Sequence, residues 1–194
     1  IWIRLVARGR AGHGSRLHDD NAVTKLAEAV AALGRTRWPL RLTPTTEALL
    51  QGLSALTGRS IDDPDALAAA AGPAEAFLRS SFRTTTNPTA LTAGYKHNVI
   101  PERAEALIDV RVIPGTEDEV LAELQQIVGD DIEIQTVVRD IGMETPFEGE
   151  LVEAMVASLG RHDPGVPVIP YLLGAGTDNK ALAYLGITGY GFAP

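Results

Sequence analysis

Three short polar clusters hold the side chains of this sequence that could do chemistry. They are Gly12-His13-Gly14-Ser15, Lys96-His97-Asn98-Val99-Ile100-Pro101 and Gly176-Thr177-Asp178. Each falls between apolar, periodic stretches, and each offers groups suited to gripping an anion or an oxyanion. His13 sits between two glycines, where an imidazole can donate to the oxyanion of a tetrahedral intermediate. A solvated loop histidine would have the same surroundings. Asn98 carries a carboxamide that can donate to a substrate carboxylate or carbonyl. It could equally form a turn before the next strand. Arg111 lies among apolar strand residues and needs a partner. That partner is either a substrate carboxylate held by the guanidinium fork or a structural ion pair with Glu105 or Asp109, since residues 109 and 111 share a strand face. Gly176 and Thr177 open a helix, where free amides and a hydroxyl make an anion site. Plain capping by Thr177 is the other reading, and both can hold at once.

What is missing narrows the chemistry further. No dense cluster of His, Asp or Glu offers a metal site or a general base, and there is no cysteine to supply a thiolate ligand or a disulfide. His18 and His97 read as exposed loop groups, His162 as a residue following a helix end, and Glu144 and Glu148 as surface carboxylates. A net charge of −8 argues against nonspecific nucleic-acid binding. No apolar run approaches the roughly 20 residues that span a bilayer. The absence of cysteine fits a reducing compartment, so a cytoplasmic location is expected.

The elements that must position these clusters are legible as periodicity. Residues 1–10 alternate as a strand. Asp20 is placed to cap a helix to about residue 33, with Val23, Leu26, Ala27, Val30 and Leu33 on one face. Residues 45–56 and 64–82 read as helices, the second interrupted near Gly72-Pro73, with a run Ala68-Ala69-Ala70-Ala71 that calls for close packing. Residues 89–95 form a strand, and 103–113 the clearest one, alternating Ala104, Ala106, Ile108, Val110 and Val112. Thr116 and Glu119 match a capping box for a helix to 128, and 132–138 is a strand. With the helical stretch 45–82 set aside, the order is β-α-β-β-α-β, the split βαβ or ferredoxin-like order of an α+β fold. A second block follows from about 142: a helix at 148–159, a strand at 168–172, a helix at 178–185 and a strand at 187–192. This is α/β material whose remaining strands are absent. The chain begins and ends in apparent strands, so it is expected to be part of a longer protein.

These motifs resemble the M20-type metallopeptidases. Gly12-His13-Gly14-Ser15 with Asn21-Ala22-Val23 is similar to the start of that family's dimerisation, or lid, domain. The segments 89–94 and 98–101, with Asp109-Val110-Arg111 and Pro114-Gly115, resemble its second half. Gly176-Thr177-Asp178 and Tyr190-Gly191-Phe192 resemble a late segment of its catalytic domain. The resemblance implies residues 1–141 as lid, with a helical insertion at about 45–82, and 142–194 as the C-terminal part of a zinc-peptidase catalytic domain.

It also implies a parent enzyme, a homodimer with two zinc ions that cleaves an amide bond near a free carboxylate of a small peptide or N-acyl amino acid. His13 would support the oxyanion in the partner's site, while Asn98, Arg111, Gly176 and Thr177 would hold substrate. Every zinc ligand of the family motif is missing from this chain, the last falling beyond Pro194, so the chain alone is expected to be inactive. A non-catalytic ferredoxin-like module for dimerisation or small-ligand binding is the alternative.

Overall fold

The strict alternation at residues 103–111 has a direct structural cause. Ala104, Ala106, Ile108 and Val110 are buried on one face, while Glu105, Leu107, Asp109 and Arg111 occupy the other. A computed structural model of the protein describes residues 1–192, and Ala193-Pro194 at the close of the sequence lie outside the described residues. In chain order the elements are β1 (Trp2–Arg8), β2 (Gly12–His13), α1 (Ala22–Arg35), α2 (Pro44–Thr57), α3 (Pro64–Ala70), a 3-10 turn (Gly72–Ala74) and α4 (Glu75–Ser81). There follow β3 (Thr85–Ala93), β4 (Val99–Ile100), β5 (Arg103–Arg111), α5 (Glu117–Val128), β6 (Ile132–Val138), α6 (Glu150–His162) and α7 (Asn179–Tyr184).

The chain divides into two compact units. The first contains Ile1–Pro39 and Thr84–Gly142. Its antiparallel sheet has the order β3-β5-β1-β6. Ile3, Leu5 and Ala7 of β1 join the inner residues of β5 against Leu26, Ala29 and Leu33 of α1 and Val120, Leu124 and Val128 of α5. Each large side chain buried there contributes about 1.5–3 kcal/mol. The other face carries ion pairs, with Arg4 beside Glu105, Arg8 beside Glu133 and Arg111 beside Asp109, and Val6 is buried among them.

Helix α1 departs from the sequence reading at its start and in its face. Asn21, not Asp20, is the N-cap, its Oδ1 accepting from Val23 N at 2.9 Å and Thr24 N at 3.4 Å. Asp20 is engaged elsewhere, by Lys25 Nζ at 2.7 Å, and that hydrogen bond holds its carboxyl below the usual range. The buried stripe is Ala22, Leu26, Ala29 and Leu33, which leaves Val23, Ala27 and Gly34 exposed on an adjacent stripe. At α5 the expected capping box is also absent. Thr116 has no side-chain cap bond, and its hydroxyl donates to Ile113 O at 2.8 Å instead.

The second unit contains Leu40–Arg83 and the chain from Met143 onward, so the helices α2 to α4 belong with the later segment rather than with the sheet. Leu49, Leu50, Leu53, Leu67, Leu78 and Phe82 form its core, and Ile169 packs against them. A Cβ at Gly52 would lie 2.7 Å from Ile169 Cδ1, so any larger residue there would force Ile169 to shift. Of the alanine run only Ala68 is fully buried, because a single face of so short a helix meets the core.

The expected strands at 168–172 and 187–192 do not form. Neither segment has a ladder partner among the described residues. They are tied by side chains instead: Ser81 Oγ donates to Leu172 O at 2.9 Å, and Tyr190 Oη donates to Pro146 O at 2.8 Å.

Glu144, read from the sequence as a surface group, is half-buried and accepts from Thr45 N at 2.7 Å in the first turn of α2. Burial pushes its carboxyl up, but donation from Thr45 and Thr43 outweighs this and holds it below its ordinary value of 4.5. A depressed folded-state pKa stabilises the fold above the unfolded value, and that stabilisation is lost as the pH falls through the folded one. Glu144→Ala should therefore cost about 1 kcal/mol or less at pH 7, the charge being partly screened by water. Thermal midpoints of the two proteins should converge as the pH falls below 4.5. A gap that stays constant from neutral to acid pH would contradict the charge-based cap.

Candidate functional site

The ribbon formed by β1 and β5 does not stop at Arg8 and Arg103. Gly9 N donates to Glu102 O at 3.0 Å, Gly12 then pairs with Ile100 and His13 with Val99, and Gly14 N donates to Asn98 O at 3.0 Å. Between these rungs Arg10 and Ala11 stand opposite Pro101 alone. Proline has no N–H to donate, so the ladder breaks there and the strand takes an extra residue as a bulge. Gly9 is required at the root, because a Cβ would meet Ala22 N and Asp20 O at 2.7 Å. The extension carries His13 and Asn98, far apart in sequence, to one exposed end of the sheet.

The two side chains meet there. His13 Nδ1 lies 2.8 Å from Ser15 Oγ and accepts from Ser15 N at 3.3 Å. Asn98 Nδ2 is 3.4 Å from His13 Nε2. In the neutral tautomer with the proton on Nδ1, that N–H donates to Ser15 Oγ and Nε2 accepts from Asn98. With the proton on Nε2, two N–H donors stand side by side in solvent, and one oxygen bearing developing negative charge can accept from both. Ser15 is therefore the hydrogen-bond neighbour of His13, a contact that the Gly12–Ser15 motif alone does not assign.

Arg111 is placed elsewhere. It is the last residue of the nine-residue β5, whereas the Asn98 extension lies beyond the strand's first residue. At about 3.3 Å per residue the two ends are roughly 26 Å apart, so Asn98 and Arg111 of one chain cannot grip the same carboxylate. Arg111 Nη2 donates to Asp109 Oδ2 at 2.6 Å, the ion pair weighed from the shared strand face. Gly176 and Thr177 are exposed and belong to the other unit. The residue capping α7 is Asp178, with no side-chain cap bond, so the capping role considered for Thr177 is not the one found.

His97 is exposed, as expected. His18 is not an open loop group: its ring lies against Gly12, and its Nδ1 is buried without a hydrogen-bond partner in the described structure. His162 is the last residue of α6 rather than one beyond it. No group of three or more His, Cys, Asp or Glu converges into a metal-binding set among the described residues. The residues present do not fit a resident zinc.

The first unit is thus an α+β domain with a four-stranded antiparallel sheet, and the His13 imidazole and Asn98 carboxamide lie side by side at one exposed end. The family model described as peptidase dimerisation domain matches residues 1–134, and the chain belongs to this M20 peptidase family through that domain. Aminoacylase-1 of Homo sapiens is 25% identical over 198 residues, covering 100% of this chain and 42% of that protein. A probable carboxypeptidase S-like 2 of Dictyostelium discoideum is 29% identical over 102 residues, 50% of this chain and 20% of that protein. The chain thus spans less than half the length of these curated relatives. Among solved structures, the M20 family metallo-carboxypeptidase Sso-CP2 from Sulfolobus solfataricus has a TM-score of 0.60 at 20% identity. That match covers 95% of this chain and 47% of the carboxypeptidase, and it is a likeness of fold.

Proposed function

We propose that this chain is the dimerising and site-completing part of an amidohydrolase that cleaves a small peptide or an N-acyl amino acid. The observation that carries the reading is the adjacent imidazole and carboxamide, His13 Nε2 and Asn98 Nδ2, 3.4 Å apart at an exposed sheet end. They are suited to bind an oxyanion, yet no metal-binding set converges beside them among the described residues. Donors without a reaction centre act where another chain brings one. His13 and Asn98 therefore complete the partner's site in a two-fold dimer, and zinc, if the parent uses it, is held by residues outside this chain. Arg111, at the far end of β5, and Gly176 and Thr177, in the second unit, are each read separately as substrate-binding groups.

The test is subunit exchange in the full-length protein. A His13→Ala subunit mixed with one inactivated outside residues 1–142 should regain part of the activity, because one composite site per heterodimer is intact. Demonstrated exchange with no recovery would overturn action across the dimer and favour a plain dimerisation module.

The edge strand β3 supports self-association. It has no charged residue over Thr85–Ala93, and most of its length is exposed. Edges that stay unpaired are usually blunted by charge, and here only Pro88 and the adjoining bulge interrupt the edge. The neighbouring α1 adds its exposed Val23, Ala27 and Gly34. In a two-fold contact each residue meets the same patch on its partner, so a charge introduced there is felt from both sides. Leu91→Lys should weaken dimerisation by about tenfold or more, roughly 1.4 kcal/mol, as measured by sedimentation velocity across a dilution series. A dimer unmoved by the charge would place the interface elsewhere.

A further inference from the structure

We infer that His18 is a positioning residue for His13, acting through Gly12. The inference rests on the proposed role of the His13–Asn98 pair, but its test reads ring geometry rather than turnover, so the two can fail separately.

The residues between Gly9 and Ala22 form a loop tied firmly at its root. Arg10 N donates to Asp20 O at 3.0 Å, Lys25 Nζ reaches Arg8 O at 3.3 Å, and Asn21 caps α1. The crest that carries His13 is held far less firmly. Its backbone pairs with the rest of the domain through the two-residue β2 and the bond from Gly14 to Asn98, and Arg16 N closes a turn on His13 O at 3.0 Å. Leu17, in the same loop, is fully exposed, so it does not anchor the crest.

The loop's internal filler is the His18 ring. A Cβ built on Gly12 would lie 2.4 Å from His18 Nε2 and 2.9 Å from its Cδ2. The imidazole thus lies directly on the Gly12 backbone, beside the residue whose ring must face Asn98. Buried polar groups are normally hydrogen-bonded, yet His18 Nδ1 is buried and has no partner. The contact therefore uses the shape of the ring and not its hydrogen-bonding capacity. Fixing Gly12 fixes the start of β2, and with it the geometry that lets Ser15 N donate to His13 Nδ1. His18 in this way holds the His13 ring in place against Ser15 and Asn98.

Long-range proton–nitrogen NMR of the imidazoles in the 194-residue chain tests this. The wild type should show His13 held as a single neutral tautomer, with its two nitrogen shifts well separated. In His18→Ala the separation should collapse toward the averaged value while the sheet amide resonances keep their positions. His18→Phe keeps a flat ring on Gly12 and should restore the wild-type separation. Unchanged His13 shifts in His18→Ala would overturn the inference. Loss of the whole fold in His18→Ala would also overturn it, since His18 would then hold the domain rather than His13. So would a folded His18→Phe that behaves like the alanine variant, because packing would then not be what His18 contributes.

Discussion

His13→Ala in the full-length protein should lower kcat by about 10²–10³ and leave KM nearly unchanged. An oxyanion donor binds the transition state better than the ground state, and removing one typically has that effect. The imidazole is fully replaceable in structural terms: it is exposed, and its ring contacts are to Ser15 and Asn98 alone among the hydrogen bonds of the loop. A loss of activity in this variant therefore reports chemistry rather than unfolding. Asn98→Ala should give a mixed effect, because its carboxamide can serve the ground state as well as the oxyanion. Arg111→Ala should act mainly through KM if it anchors a substrate carboxylate, and it also leaves Asp109 without its 2.6 Å partner. A His13→Ala enzyme with wild-type kcat would return His13 to the status of a solvated loop residue.

Some features of the fold and site were legible because one local rule decided them, and others were not. The inner face of β5 follows from alternation, since a one-residue slip would turn Ala104, Ala106, Ile108 and Val110 to water. The helix break near Gly72-Pro73 follows from backbone chemistry, and it appears as a 3-10 turn between α3 and α4. Choices between adjacent residues failed where two could do the same task. Asp20 and Asn21 both suit an N-cap, and only the tertiary partner Lys25 claims Asp20. The segments at 168–172 and 187–192 are apolar enough for strands, but a strand also needs a neighbour to pair with. Neither segment has one among the described residues.

The site was readable as residue types and not as an arrangement. His13 and Asn98 were each identifiable, but their meeting depends on the pairing of Gly12 with Ile100 past a bulge that no local pattern announces. The separation of Arg111 from Asn98 likewise follows from strand register. His18 was read as exposed because a lone histidine before a helix cap has no sequence signal for burial. The glycine that makes room for it is six residues away and looks like an ordinary loop residue.

Phe82→Ala tests whether the two cores have separate stabilities. Phe82 is fully buried at the end of α4 and packs with Leu49, Leu50, Leu53, Leu67 and Leu78. None of these residues belongs to the core beneath the sheet, which is built from β1, β5, β6, α1, α5 and Trp38. Truncating a buried phenylalanine removes its transfer free energy and leaves a cavity, at a cost of about 3–5 kcal/mol. At 1.4 kcal/mol per tenfold, amide hydrogen exchange through the opened state should accelerate by roughly 10²–10³ or more in α2 and α3. The amides of β1 and β5 should keep their wild-type protection, and the His13–Asn98 pair its geometry, because their own core is intact. Equal acceleration in β5 would mean that the two units open as one cooperative body. In that case a core substitution in α2 or α4 would release the donor pair as effectively as one beneath the sheet.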